Sequence, residues 1–272
     1  MTIERPSFAG HESCAHSETA LGRPRVHLRL TDSTNDTARG LAIAGAPHGT
    51  LVTAREQSAG RGRQGRRWSA PPGSSLLMSL VVRHAHDRDA PDGHSDRTEG
   101  SFGATAPGKP PTLLPLIAAV AVCDAAGEQA RIKWPNDVVT VRPEGLAKLG
   151  GILTEGRPQA GWAVLGIGLN VAVRLEELPV ELRETAATLG MTQAEIEPML
   201  ECLLAALERR MREPAEMTLQ AWRARDALRG REIAWPAGRG RARGIDGTGR
   251  LVVELPAGGN TTLEAGEVHL EP

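Results

Sequence analysis

Residues 59–68 read AGRGRQGRRW. Two readings of this stretch lead to two different folds. Gly60-x-Gly62-x-x-Gly65 has the spacing of a dinucleotide-binding fingerprint, which belongs to a strand–turn–helix unit. Arg61, Arg63, Arg66 and Arg67 point instead to a loop that grips an anion or nucleic acid. The fingerprint needs a strand before it and a helix after it, because the helix N-terminus holds the pyrophosphate. Thr50 to Glu56 is β-rich and supplies the strand. Trp68-Ser69-Ala70-Pro71-Pro72-Gly73 cannot start the helix. The acidic residue expected about 20 positions on falls in a polar stretch without apolar content. A P-loop fails as well, since Gly108-Lys109 is followed by Pro110 and no GxxxxGK[ST] occurs. The glycines and arginines therefore form a loop after a strand. Such a loop is soft when empty and rich in donors for carboxylate or phosphate, which suits closure over an anionic small molecule. A solvated charged turn is the bland alternative.

Working outward, Val26 to Leu30 alternates as a strand, and Thr31 to Asp36 is dense in helix-capping residues before a helix over Asn35–Ala44. Ser75 to Val82 reads as a buried strand. Leu113 to Ala126 is apolar nearly all round and reads as a buried helix. Arg131 to Trp134 turns at Pro135-Asn136-Asp137 into a strand at Val138–Val141. Gly150–Glu155 and Trp162–Asn170 are further strands, and Glu195–Met211 is an amphipathic helix. Strands gathered around few helices argue for an α+β class with a sheet domain, not strict βαβ alternation.

Residues 84–111 are polar and rich in Gly, Pro, Asp and His, and read as a surface insertion. The histidines within it match no metal-ligand spacing. After Leu228 the composition shifts to short β segments with Gly-rich turns at Asp246–Gly249 and Ala257–Asn260, a small β module over 229–272. The expected organisation is a leader over 1–25, a catalytic domain over 26–228 and this module.

The net charge is −1, so the arginines are local features and not part of a basic whole, as a general nucleic-acid binder would show. Three cysteines without a CxxC pair suit a reduced, cytoplasmic protein. No apolar run reaches the ~18 residues of a membrane span, and the N-terminal residues have no signal-peptide h-region.

Three further stretches carry chemistry. Lys133-Trp134-Pro135-Asn136-Asp137 packs a cation, an aromatic, a turn and a carboxylate together. Lys148-Leu149-Gly150-Gly151-Ile152-Leu153 sets a lysine before two glycines and a strand. Gly166-Ile167-Gly168-Leu169-Asn170 ends a strand on an amide. Each alone is weak, because a lone Lys is usually solvated, a lone Asn a cap and a strand glycine a bulge.

Taken with Ser33-Thr34-Asn35 and EQSAGRGRQGRRW, their order and spacing resemble the biotin–protein ligases, from about Val26 to the C-terminus. That resemblance implies a mixed-sheet catalytic domain of the biotin/lipoate ligase type, followed by an SH3-like β-barrel. It implies the monofunctional class, since about 25 residues precede Val26 where bifunctional members carry a DNA-binding domain of about 60. It also implies biotin and ATP as substrates, Mg²⁺, and a biotin carboxyl carrier domain as partner.

Carried over residue by residue, the resemblance puts Ser33, Thr34, Asn35 and Gln57 at biotin. Arg61, Gly62 and Arg63 would fold over biotin, with Arg63 holding the intermediate. Lys148 would face the biotin carboxylate and the acyl phosphate, and Gly151 could serve the same carboxylate. Arg66, Trp68, Asn136 and Asn170 are expected on the ATP side, with Arg63 and Lys148. Lys133 and Asp137 are candidates for phosphate and Mg²⁺, or for activating the acceptor lysine; a structural ion pair is the alternative for both. Where the family loop carries an arginine, this chain has Gln64.

Two rival readings stay open at this point. One is a lipoate or octanoate ligase or transferase of the same superfamily. The other is an arginine-rich nucleic-acid-binding protein, suggested by Arg223, Arg225, Arg229, Arg231, Arg239, Arg241 and Arg243.

Overall fold

The computed structural model describes residues 19–83, 111–157, 161–264, 266 and 268–270. Apart from Pro111, the expected insertion lies outside the described residues, as do residues 1–18 of the expected leader. Of the residues counted with that leader, Leu21 is buried, and the Ala20 N–H donates to the Glu208 carboxylate.

Among the described residues, seven strands form one mixed sheet. They are β1 (Arg25–Leu28), β2 (Leu51–Ala54), β3 (Ser75–Arg83), β4 (Arg131–Lys133), β5 (Asp137–Arg142), β6 (Gly145–Arg157) and β7 (Trp162–Asn170). The spatial order is β1-β2-β3-β7-β6-β5-β4. Helix α1 (Thr34–Ile43) crosses between β1 and β2, which is why that pair runs parallel while the other pairs run antiparallel.

Strand alternation divides the layers. Val81 of β3 pairs with Val164 of β7, and both pack with Ala38 and Ala42 of α1. The opposite faces of these strands, with Met78, Leu80, Leu165 and Ile167, pack with α2 (Leu114–Ala126). Every residue of α2 from Leu116 to Cys123 is buried. This accounts for its all-round apolar sequence: it lies between the sheet and the helices α4 (Ile196–Arg212) and α5 (Ala215–Ala224), which follow the single-turn α3 (Val180–Arg183). Helix α5 has no counterpart among the expected elements. Its buried Leu219 and Trp222 are three apart on one face, too short a stripe to stand out.

Strands β8 (Glu232–Trp235), β9 (Gly238–Ile245), β10 (Leu251–Glu254), β11 (Asn260–Leu263) and β12 (His269–Leu270) form an antiparallel sheet ordered β11-β10-β9-β8-β12. The segment after β11 is not one extended strand. Gly266 has φ 127°, a left-handed value that ends an extended run, and β12 crosses to pair with β8. This sheet shares the main core, since Ile233, Ala242, Leu251 and Val253 belong to the same buried cluster as α2.

Candidate active site

The register of the main sheet assembles the site. Lys133 pairs with Asp137, Asp137 with Gly151, Gly151 with Gly168 and Gly168 with Leu77. Directly paired residues share a face, so three motifs dispersed over 133–170 become one row. Helix α1 covers only part of this face. The remainder is floored by glycine: a Cβ on Gly168 would stand 2.7 Å from the Trp68 ring, and one on Gly151 would stand 3.3 Å from it. Trp68 lies flat here because those two positions have no side chain.

Lys148 reaches the row through a β-bulge. Val138 pairs with Gly150 and Val139 with Lys148, leaving Leu149 as the extra residue, fully buried. The backbone of Lys148 is clamped by the Thr185 carbonyl and the Ala187 N–H. Its Nζ lies 2.7 Å from Asp137 Oδ1 and 5.9 Å from the centre of the Trp68 ring.

The N-terminus of α1 supplies one end of the cleft. Ser33, Thr34 and Asn35 are buried. Gln57 Oε1 accepts from the Thr34 N–H at 2.8 Å and from Thr34 Oγ1 at 3.1 Å. Ser79 Oγ donates to Asn35 Oδ1 at 2.6 Å and lies within hydrogen-bond distance of Thr34 Oγ1, at 2.8 Å. Polar side chains this well buried and interlocked form a rigid donor–acceptor surface.

Residues 60–68 form a tight hairpin. The Gly62 N–H donates to Arg66 O at 2.7 Å, the Trp68 N–H donates to Gly60 O at 2.9 Å, and Arg61 bridges Arg67. The tip is a short 3₁₀ turn over Arg63–Gly65, with Gln64 at φ 55° and Gly65 at φ 75°. Among the described residues, Gln64 is the one non-glycine with left-handed φ. Arg63 Nη1 donates to Asn136 Oδ1 at 3.0 Å, so the hairpin closes onto the turn before β5. Asn136 Nδ2 is anchored on Ile152 O. That turn is braced from behind: Trp134 is buried and its Nε1 donates to Gly249 O in the β9–β10 turn.

One cleft is lined by all the expected site residues but one: Ser33, Thr34, Asn35, Gln57, Arg61, Gly62, Arg63, Arg66, Trp68, Lys133, Asn136, Asp137, Lys148 and Gly151. The exception is Asn170, expected on the ATP side. It is buried beside the cleft, where its Nδ2 donates to Ala187 O and its Oδ1 accepts from Ser75 Oγ. There it fixes the 187–189 segment to the end of β7. Leu77 and Val268 line the cleft without having been anticipated, as do Gly166 and Gly168, whose stretch was expected to contribute only Asn170. The Gly-x-Gly spacing of 166–168 was the available signal, since it leaves one face of a strand bare. Buried Trp68 Nε1 has no hydrogen-bond partner among the described residues, a donor available to a ligand acceptor.

A magnesium cage does not fit these side chains. Asp137 is a single carboxylate already paired with Lys148, and among the described residues no group of three His, Cys, Asp or Glu side chains could hold a metal. Among the arginines that suggested nucleic acid, Arg223, Arg225, Arg241 and Arg243 are paired with Glu216, Asp124, Glu232 and Glu254. Among the described residues, no helix is long and apolar enough to cross a membrane.

A mixed sheet with a glycine floor, a cationic hairpin and a buried polar end defines the ligase class that comparison with known proteins identifies. A sequence model described as the Biotin/lipoate A/B protein ligase family matches residues 27–97. The chain is 34% identical over 262 residues to a biotin–[acetyl-CoA-carboxylase] ligase of Paracoccus denitrificans, covering 89% of this chain and 98% of that one. It is 35% identical over 182 residues to the bifunctional ligase/repressor BirA of Bacillus subtilis, and there the match spans about half (49%) of the relative's length. Its fold matches a biotin protein ligase from Aquifex aeolicus solved with biotin and ATP, at TM-score 0.68 and 23% identity, covering 92% of this chain and 99% of that one. The chain belongs to the biotin–protein ligases of this family.

Proposed function

We propose that the cleft joins biotin to ATP and then passes the biotinyl group to a lysine of a biotin carboxyl carrier domain. The observation that carries this reading is the meeting of Arg63, Lys148 and Lys133 on one glycine floor beside the buried Thr34–Gln57 surface. The Aquifex neighbour, solved with biotin and ATP, supports the same pair of substrates.

Biotin's ureido head would meet Ser33, Thr34, Asn35 and Gln57, and its carboxylate would reach Lys148. A carboxylate oxygen attacks the α-phosphorus and the bond to the leaving pyrophosphate breaks. Two anions approach each other in this step, so fixed cations that meet the developing charge lower its barrier. Lys148 and Arg63 are those cations, with Lys133 and Arg66 on the phosphate side. Trp68 and Asn136 wall the nucleotide. In the second step the acceptor lysine's amine attacks the acyl carbon, AMP leaves and the amine loses a proton. Asp137, held by Lys148, is the carboxylate lining the cleft that takes that proton. Magnesium entering with ATP would neutralise charge on the leaving pyrophosphate, and among the described residues no group of carboxylates is placed to cage it. The closed hairpin keeps water from the mixed anhydride.

In the same reading residues 26–228 form the catalytic domain, 229–272 an SH3-like module that braces the Trp134 turn, and the protein works in the cytoplasm. The test is incubation with biotin, MgATP and a carrier domain, with transfer read by mass. Transfer of another acid, such as lipoate or octanoate, in place of biotin would replace this reading with that of the sister ligases.

A further inference from the structure

We propose that Glu155 is a positioning residue which, together with Asp36, latches the glycine–arginine hairpin over the cleft by holding Arg61. Arg61 Nη2 lies 2.8 Å from Glu155 Oε1, and Arg61 Nη1 lies 2.7 Å from Asp36 Oδ1. The two carboxylates stand on different elements, Asp36 in the first turn of α1 and Glu155 on β6. One guanidinium therefore ties the hairpin to both layers of the catalytic domain.

Glu155 is itself held in place. Its Oε2 accepts from Asn35 Nδ2 at 2.8 Å, and Asn35 Oδ1 accepts from Ser79 Oγ at 2.6 Å. Gly166 makes room for this chain, because a Cβ there would overlap the Asn35 side chain. The latch and the polar end of the cleft thus share Asn35.

Two consequences follow from charge and space. A guanidinium between two carboxylates is already neutralised, so in this conformation Arg61 fastens the hairpin. Arg63, at its tip, is the arginine turned to the Asn136 turn. With the hairpin down the cleft has a free volume of about 120 Å³. Pockets for drug-sized ligands run to about 300 Å³ or more, so the cleft must widen to admit both substrates, and lifting of the hairpin with parting of the Arg61 pairs is the route we infer. The Arg61 and Glu155 side chains are 38% and 26% exposed, which leaves the pair partly solvated, separable and sensitive to salt.

The inference rests on the ligase reading only for its consequence, that a looser latch lets the adenylate escape. The latch itself is tested without substrate, by limited trypsin digestion of the ligand-free protein at the hairpin arginines. Glu155→Gln should raise cleavage within the hairpin about fivefold relative to cleavage elsewhere, the factor expected for loss of one partly exposed ion pair. Arg61→Gln should do the same at the remaining arginines. The double variant should be no worse than Arg61→Gln alone, since losing Arg61 already removes the Glu155 contact along with the Asp36 one. Raising salt to about 0.5 M should loosen the wild-type hairpin more than Glu155→Gln, which keeps only the Asp36 pair.

Unchanged hairpin cleavage in Glu155→Gln, or additive effects of the two substitutions, overturns the latch. If Glu155→Gln does not fold, Asp36→Asn gives the same readings with the same two outcomes. In a second arm with biotin and MgATP, Glu155→Gln should release the acyl-adenylate into solution about fivefold faster, with the KM for biotin raised more than kcat is lowered. Hairpin loosening in a protein that makes no adenylate sinks the ligase reading and leaves the latch. Adenylate formation with an unmoved hairpin does the reverse.

Discussion

Lys148 Nζ lies 2.7 Å from Asp137 Oδ1, and both residues flank Gly151 on the cleft floor. The pair exists because the bulge at Leu149 turns Lys148 onto the face that strand pairing gives to Asp137. The Lys148 cation is thereby partnered. An incoming carboxylate would exchange for Asp137, freeing that side chain to accept a proton later.

Lys148→Ala should lower the rate of biotin-dependent ATP–pyrophosphate exchange by about 100-fold, the range for losing one preorganised charge at a reacting oxyanion. Asp137→Asn should spare exchange relative to transfer, because its carboxylate is needed in the second step. Exchange at the normal rate in Lys148→Ala would remove Lys148 from the first step.

Arg63→Gly removes the donor that spans from the hairpin tip to Asn136. Loss of a charge-assisted contact of about 1.5–3 kcal/mol should speed escape of the intermediate about tenfold or more. Escaped intermediate would label lysines on a bystander protein mixed into the reaction. Bystander labelling no higher than with wild type would count against Arg63 as the residue that retains it.

Gly168→Ala sets a methyl 2.7 Å from the Trp68 ring, and Gly166→Ala sets one into Asn35. Overpacking of this kind costs about 1–3 kcal/mol. Chemical denaturation should show that loss in Gly166→Ala, where the neighbour is buried. Gly168→Ala should instead displace Trp68 and raise the KM for both substrates. A Gly168→Ala protein with unaltered KM would mean that Trp68 does not need the bare floor.

Asp226 lies between α5 and β8, where the 225–227 segment pairs with Ile132 of β4. Burial pushes its carboxyl up from the ordinary value to about 6, against the opposing hydrogen bonds from Leu228 and Arg229, and its Oδ2 has no partner among the described residues. A folded-state value above the unfolded one means that the folded protein holds the proton more tightly. The stability this contributes is fully present below about pH 4 and is lost as pH rises through about 6. Asp226→Asn keeps the Oδ1 acceptor for the Leu228 N–H and removes the buried charge. It should therefore stabilise the protein by roughly 1–2 kcal/mol at pH 7–8, and by little at pH 4. Denaturant melts at the two pH values check this; equal effects at both would place the origin elsewhere than in ionisation.

The sequence by itself determined that AGRGRQGRRW is a glycine–arginine loop after a strand and not a dinucleotide turn, because Pro71 and Pro72 forbid the helix that a fingerprint requires. Period and composition likewise located most strands, the buried helix α2 and the amphipathic α4, since these are properties of neighbouring residues. The tertiary structure decided which positions meet. Alternation along a strand tells which residues share a face but not which strand lies beside it, so the row from Lys133 through Asp137 and Gly151 to Gly168 follows from register alone. For the same reason Glu155 carried no signal: its partners Asn35 and Arg61 lie 120 and 94 positions away in the chain. Asn170 sat in a motif that pointed to nucleotide, yet Ala187 and Ser75, which satisfy its amide, come from two other segments. A buried polar group takes the partner that folding brings to it, and that partner is rarely a neighbour in sequence.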